Sequence, residues 1–142
     1  MVGSKLDNQE IIYRGLIKMG SENDNIFRHI KNAVIYSMAG FKAAWINEMA
    51  FRTEVIVIAI MLPIGIWMGT TVVEWALLIG SSMLVLITEL LNSAVENVVD
   101  RIGAERHILS KQAKDLGSAA AAVSMLTAAI VWGLIAYGRF LG

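Results

Sequence analysis

The chain has 142 residues, of which 56% are hydrophobic and 17% charged, whereas soluble domains carry about 45–50% apolar and about 25% charged residues. It contains no cysteine, which excludes disulfide scaffolds, cysteine-based zinc sites and cysteine nucleophiles. Its formal net charge is zero, so no overall field would attract nucleic acid. We therefore expect an all-α membrane protein with a single domain and no nucleic-acid partner.

The first part of the chain precedes any apolar span. Residues 1–25 are polar and lack the apolar stretch of a signal peptide, and we expect them to form a poorly ordered leader. From about residue 26 to 47 the apolar residues recur at helical spacing, with basic residues off that stripe. This pattern predicts an amphipathic helix that lies on the membrane surface or packs on the bundle; its apolar residues are Phe27, Ile30, Val34, Phe41 and Trp45.

Three stretches are long and apolar enough to cross a membrane, because about 20 apolar residues span a hydrocarbon core roughly 30 Å thick. We predict spans at about 52–73, 75–99 and 116–138, all within an integral-membrane domain that covers residues 26–142. Glu74 would mark a tight turn between the first two spans.

The basic residues predict the orientation of these spans. All but one of the 12 Lys and Arg residues lie before the first span or between the second and third. Three spans put those two regions on one side, and the positive-inside rule makes that side cytoplasmic. The N-terminus would then be cytoplasmic and the C-terminus periplasmic, with Trp67, Trp75 and Tyr137 at the outer interface.

Acidic residues in the second predicted span are unusual, because a carboxylate inside a membrane is costly and generally marks function. Glu89 follows Trp75 by about 21 Å of helix, which places it within hydrocarbon depth. At about 100° per residue, Glu89, Asn92, Glu96 and Asp100 form one polar stripe. Interhelical hydrogen bonds would explain Asn92, and a solvated helix end would explain Asp100. Glu96 would snorkel to the interface or pair with Arg101, but Glu89 has no basic residue within one turn.

Further charges gather at the same predicted face, in the segment before the first span and in the loop from Gly103 to Gly117. Carboxylates there would hold Mg²⁺ together with substrate phosphates, and Lys and Arg would neutralise the phosphates. A solvated loop of mixed charge is the commoner meaning of such a stretch. No Walker A or protein-kinase motif occurs, so nucleotide chemistry would use an unrelated site.

Three segments in order closely resemble the prokaryotic diacylglycerol kinase family, of the Gram-negative type. They are AAWINEMAFRTE at 43–54, ELLNSAVENVVDRIG at 89–103 and AKDLGSAA at 113–120, and the similarity extends from about Phe27 to the C-terminus. The resemblance implies a homotrimer in the bacterial inner membrane, with an amphipathic N-terminal helix, three spans and sites shared between protomers. It also implies transfer of the γ-phosphate of ATP, with Mg²⁺, to diacylglycerol, which gives phosphatidic acid and ADP.

The resemblance also implies residue roles. Glu89 matches the catalytic base, and Glu48 and Glu96 match the pair that holds the metal of the nucleotide. Other nucleotide contacts match His29, Tyr36, Glu105, Arg106, His107, Lys114 and Asp115. The lipid pocket matches Ala43, Ala44, Trp45, Asn47, Glu89, Asn92, Ser118 and Trp132.

The chain departs from the family pattern near the start of the surface helix. A basic residue common there is replaced by His29 beside Arg28, and a Lys one turn later is replaced by Asn32 beside Lys31. Residues 1–25 have no counterpart. Two other functions stay open: an undecaprenol kinase of the same family, and a small oligomeric cation or proton transporter that uses Glu89.

Overall fold

The computed structural model describes residues 8–103 and 105–142, with side chains from residue 25 onward. All regular structure in these residues is α-helical, which confirms the predicted fold class. The helices are α1 (Asn8–Asn47), α2 (Met49–Met68), α3 (Val72–Ile102) and α4 (Ile108–Phe140).

The chain divides into two compact units, Met1–Lys42 and Ala43–Gly142. In the first unit, the side chains described from residue 25 to 42 are all exposed. α1 begins at Asn8, earlier than the start at about residue 26 that the apolar pattern predicted. Residues 1–7 lie outside the described part, and the poorly ordered leader stays a prediction. The sequence allows this longer helix, because no proline interrupts it before residue 47.

The second unit contains α2, α3 and α4, and each of them is long and apolar enough to cross a membrane. Their shared interior is small and includes Phe51, Leu78, Val85 and Ala121. Most large apolar side chains point outward instead, and an apolar surface of this extent is typical of contact with lipid. The three predicted spans therefore correspond to these three helices.

The turn between α2 and α3 lies earlier than the sequence predicted. We expected the first span to reach residue 73 and Glu74 to mark the turn, but α2 ends at Met68. Thr71 caps α3 instead, and its side-chain oxygen accepts a hydrogen bond from the Glu74 backbone nitrogen at 3.2 Å. The Glu74 carboxylate accepts from the Thr71 backbone nitrogen at 3.0 Å in return. This capping box starts the helix before Glu74.

The connection between α3 and α4 is short and brings the two helices together along their length. Gly103 ends α3 with a φ of 155°, a conformation that residues with side chains rarely adopt. His107 caps α4, and its Nδ1 accepts from the Leu109 backbone nitrogen at 3.2 Å. Deeper in the bundle the hydroxyls of Thr88 and Ser124 lie 2.6 Å apart and link the two helices.

Candidate active site

Glu48 occupies a one-residue break between α1 and α2. Its backbone is extended, with φ −106° and ψ 111°, so it caps α2 rather than continuing α1. Arg52 stabilises the break, because its Nη1 donates to the carbonyl oxygens of Trp45 and Ile46 at 2.9 Å each. Asn97 on α3 donates to the Glu48 carboxylate at 3.4 Å. The break thus directs Glu48 towards α3, where it is half-buried.

Glu89 lies in the interior of the bundle with only 5% of its surface exposed. Its charge interacts with those of Glu54, Glu48 and Glu96, so four carboxylates gather from two helices and the break. Within the described residues, none of the four forms an ion pair with Lys or Arg. Interacting like charges repel one another, and a cation or a bound proton would stabilise the group.

Asn92 fills the space between Glu89 and Glu96 along α3. Its Nδ2 donates to Glu96 Oε1 at 3.2 Å. On its other side it faces Gly117 of α4, which is close enough that an added Cβ would lie 3.4 Å from Asn92 Cγ and overlap Oδ1. The predicted polar stripe therefore packs against α4 at Asn92.

Glu48 and Glu96 are of the residue type that binds a divalent cation whose other ligands come from phosphates. No group of three or more acidic, His or Cys side chains in the described ranges would hold a metal alone. Mg²⁺ ordinarily needs only one or two carboxylates when substrate phosphates and water complete its shell. Oε1 of each residue accepts from an Asn amide, whereas Oε2 has no hydrogen-bond donor among the described side chains.

A polar cavity of about 730 Å³ opens where α3 ends and α4 begins. Lys114 and Asp100 form an ion pair at 2.6 Å across it, and Lys111 and Asp115 form another at 2.6 Å. The structure thus brings together the five predicted nucleotide residues of this region: Glu105, Arg106, His107, Lys114 and Asp115. Asp100 and Lys111 share the lining, although we gave neither a role in nucleotide binding from the sequence.

An apolar cavity of about 360 Å³ lies between α2, α3 and α4. Glu54 lies at one end, and its Oε2 is buried without a hydrogen-bond partner in the structure. Trp132 lines the other end, and its ring packs so closely on Gly65 that a Cβ there would lie 2.7 Å from it. The remaining lining is Thr53, Val57, Ile58, Met61, Ser82, Val85, Met125, Ala128 and Ala129.

The remaining predicted residues lie on α1 and α4. His29 and Tyr36 belong to the first compact unit, where both are exposed. Of the predicted lipid residues, Trp132 lines the apolar cavity, whereas Ser118 does not. Ala43, Ala44, Trp45 and Asn47 form the end of α1, where only Ala44 is buried.

Glu54 is the residue that we missed as a site candidate. It ends the segment AAWINEMAFRTE at 43–54 and begins an otherwise uncharged apolar run. Burying a carboxylate at the start of an apolar run is costly, and this cost is the signal in the sequence that marks Glu54. The structure brings the charges of Glu54 and Glu89 together.

Comparisons with known proteins agree on one family. The family model described as prokaryotic diacylglycerol kinase matches residues 35–136. The chain is 45% identical to a diacylglycerol kinase of Escherichia coli (strain K12) over 120 residues, which cover 84% of this chain and 98% of that protein. It is 49% identical over 109 residues to one from Haemophilus influenzae, covering 77% of this chain and 92% of the relative. A diacylglycerol kinase of Pseudomonas aeruginosa is 45% identical over 111 residues, or 78% and 90% of the two chains.

Proposed function

Because the chain belongs to the prokaryotic diacylglycerol kinase family, we propose that it transfers the γ-phosphate of ATP to the hydroxyl of diacylglycerol. The products are phosphatidic acid and ADP. The observation that carries this proposal is the position of Glu89 between two cavities of opposite character. Along α3, Glu89 lies about one turn after Val85, which lines the apolar cavity, and about three turns before Asp100, which lines the polar cavity.

Glu89 is the general base of this reaction. Phosphoryl transfer depends mainly on positioning and on neutralising charge, so the protein needs to hold two substrates and accept one proton. The buried carboxylate takes the proton of the lipid hydroxyl while the hydroxyl oxygen attacks the γ-phosphorus of ATP. The bond between the γ-phosphorus and the oxygen that bridges to the β-phosphate breaks, and ADP leaves. No Lys or Arg in the described residues pairs with Glu89, which leaves it available to accept that proton.

Glu48 and Glu96 hold the Mg²⁺ that accompanies ATP. The ion would neutralise charge on the phosphates during transfer. Asn97 and Asn92 each hold one carboxylate oxygen of the pair and leave the other oxygen accessible to a cation. Glu96 lies about 10 Å from Glu89 along α3 by helix rise, towards the polar cavity. This spacing separates the metal-holding end of the site from the base.

The polar cavity binds the nucleotide. Lys114 and Lys111 supply positive charge for phosphates, and each is now paired with a carboxylate that ATP would displace or share. Arg106, Glu105, His107 and Asp115 line the same space. From the family resemblance we also assign nucleotide contacts to His29 and Tyr36.

The apolar cavity takes part of an acyl chain. Its lining is almost entirely hydrophobic, and its single acidic residue is Glu54. The charge of Glu54 interacts with that of Glu89, so this end of the cavity is the one nearer the base. A diacylglycerol with its hydroxyl near Glu89 would therefore extend its hydrocarbon towards Trp132. Asn92 and the other residues of the predicted lipid pocket at 43–47 and 118 contact the glycerol end.

The enzyme works as a homotrimer in the bacterial inner membrane, with the polar cavity at the cytoplasmic face. The distribution of Lys and Arg supports this orientation, with the N-terminus cytoplasmic and the C-terminus periplasmic. Three helices around a small interior leave much of Ala43–Gly142 exposed, which supports contact with neighbouring protomers as well as lipid. Residues from two protomers would then complete each site.

The experiment that tests this function measures phosphate transfer from labelled MgATP by the purified full chain in mixed micelles. Diacylglycerol and undecaprenol are supplied separately, and Glu89→Gln is the matched variant because it keeps the size of the side chain. We expect transfer to diacylglycerol, and a loss of about 10²–10⁴ in kcat for the variant. Circular dichroism and the oligomeric state of the variant should match those of the wild type.

Each alternative function has its own outcome in this experiment. Preferential transfer to undecaprenol would keep the mechanism and change the lipid. Wild-type turnover in Glu89→Gln would overturn the assignment of the base. No transfer to either lipid by folded protein would favour a cation or proton transporter, since an intramembrane carboxylate also binds such ions.

A further inference from the structure

We propose that Gly117 is a positioning residue for the metal-holding carboxylate. The missing side chain at Gly117 leaves the space into which the Asn92 amide fits, and the amide in turn holds Glu96. This inference rests on the proposed function, because it takes Glu96 as a ligand of the metal that accompanies ATP.

The close approach of Gly117 and Asn92 carries the proposal. A Cβ at position 117 would overlap Asn92 Oδ1, and it would lie 3.4 Å from Asn92 Cγ and 3.6 Å from Asn92 Cα. The Cα belongs to the backbone of α3 and moves only with the helix. The amide group therefore has to rotate away, which changes the direction of its Nδ2.

The hydrogen bonds of Asn92 explain why such a rotation affects Glu96. Oδ1 is buried and has no hydrogen-bond partner in the described structure, so no bond on that side opposes the rotation. Nδ2 donates to Glu96 Oε1 at 3.2 Å, the long end of the usual range, and a small displacement would break this bond. Glu96 would then lose the contact that orients its carboxylate, and hydrogen-bond partners of metal ligands generally tune the metal site.

Gly133 provides a matched control on the same helix. A Cβ at Gly133 meets no atom within 4 Å. Both Gly117→Ala and Gly133→Ala bring the same gain in helix propensity, because Ala is preferred to Gly in a helix interior. A difference between the two variants therefore reports the contact with Asn92 and not the stability of α4.

The test uses the full chain in mixed micelles and two readouts. The first is the Mg²⁺ concentration for half-maximal transfer at saturating diacylglycerol. The second is Mn²⁺ binding by electron paramagnetic resonance with a non-hydrolysable ATP analogue, which needs no turnover. For Gly117→Ala we expect both midpoints to rise about tenfold. Gly133→Ala should stay within about twofold of the wild type.

Asn92→Ala keeps the proposal testable if Gly117→Ala does not fold, because it removes the amide without adding bulk. It should raise the Mn²⁺ midpoint as Gly117→Ala does, and Gly117→Ala in that background should add nothing further. Unchanged Mn²⁺ binding in Gly117→Ala, or additive effects in the double variant, would overturn the proposal. A wild type that binds Mn²⁺ with the analogue but transfers no phosphate would overturn the proposed function instead.

Discussion

Asn97 on α3 donates a hydrogen bond to Glu48, with 3.4 Å between Nδ2 and Oε1. The same amide nitrogen, which carries two hydrogens, also donates to the backbone oxygen of Ser93 at 2.8 Å. Its bond to Glu48 is weak because it is long. The position of Glu48 therefore depends mainly on the break between α1 and α2. Arg52 stabilises that break through two carbonyl oxygens at 2.9 Å.

Replacing Arg52 should consequently disturb metal use more than replacing Asn97. Arg52→Gln removes the charged group that holds the last carbonyls of α1, and Glu48 loses its fixed backbone. We expect the Mg²⁺ concentration for half-maximal activity to rise about tenfold in Arg52→Gln and about twofold or less in Asn97→Ala. Titration of activity with Mg²⁺ at fixed ATP measures both effects.

Arg101→Gln is the control for this pair, because Arg101 is an exposed basic residue in the last turn of α3. It should keep the wild-type Mg²⁺ dependence. An equal shift in Arg101→Gln and Arg52→Gln would mean that the loss of positive charge, and not the break, controls metal binding.

Substitutions in the ion pair between Lys114 and Asp100 should show whether the pair serves nucleotide binding or stability. Both side chains are substantially exposed, at 37% and 67%, so their 2.6 Å contact contributes little to folding. If Lys114 binds phosphates, Lys114→Met should raise the KM for ATP about tenfold or more. Asp100→Asn removes only the competing partner, and it should leave that KM unchanged or lower it.

Initial rates across a range of ATP concentrations, at saturating lipid, measure the KM for ATP of both variants. Comparable losses in Lys114→Met and Asp100→Asn would show that the pair matters as a contact between α3 and α4. In that case the polar cavity would need another phosphate-binding residue, and Lys111 lines the same space.

The capping box at the start of α3 should affect stability without affecting catalysis. Thr71→Ala removes the oxygen that accepts from the Glu74 backbone nitrogen at 3.2 Å, and loss of a cap typically costs about 1 kcal/mol. Thr71→Ser keeps the oxygen and should be close to the wild type. Unfolding of the micellar protein in sodium dodecyl sulfate measures the difference, and kcat should be the same in all three proteins.

This turn also illustrates what the sequence could and could not predict about the fold. Runs of apolar residues identified the three spans, because a helix that crosses a membrane is recognised mainly by its length and hydrophobicity. The same runs gave no sign of the turn between α2 and α3, since Val72 and Val73 are as apolar as the span before them. Thr71 and Glu74 are the local signal for the helix start, and the pattern of hydropathy outweighed it in our prediction.

The candidate site divides in a similar way. Spacing along α3 and the loop after it predicted which residues share one face or one connection. The polar cavity does bring together Glu105, Arg106, His107, Lys114 and Asp115. Contacts between helices depend on packing that a single sequence does not display. The sequence alone therefore missed Glu54 beside Glu89 and the fit of Gly117 against Asn92.

Trp132 should limit the length of acyl chain that the apolar cavity accepts. Its ring lines the end of the cavity away from Glu54 and rests on Gly65, where even a Cβ would lie 2.7 Å from the ring. Trp132→Ala would extend the cavity towards α2, and each additional buried methylene is worth about 0.8 kcal/mol. We expect the ratio of kcat/KM for long-chain over short-chain diacylglycerols to rise about tenfold, an effect of the size that apolar pockets usually give.

Trp67→Ala is the matched control for this last prediction, because it removes the same ring from α2 at a site 66% exposed and outside the cavity. It should leave the chain-length ratio unchanged. A series of diacylglycerols that differ only in acyl length, assayed in the same micelles, measures the ratio for all three proteins. If Trp132→Ala lowers activity equally for every chain length, Trp132 supports the packing of α2 and α4, and the acyl chain lies elsewhere.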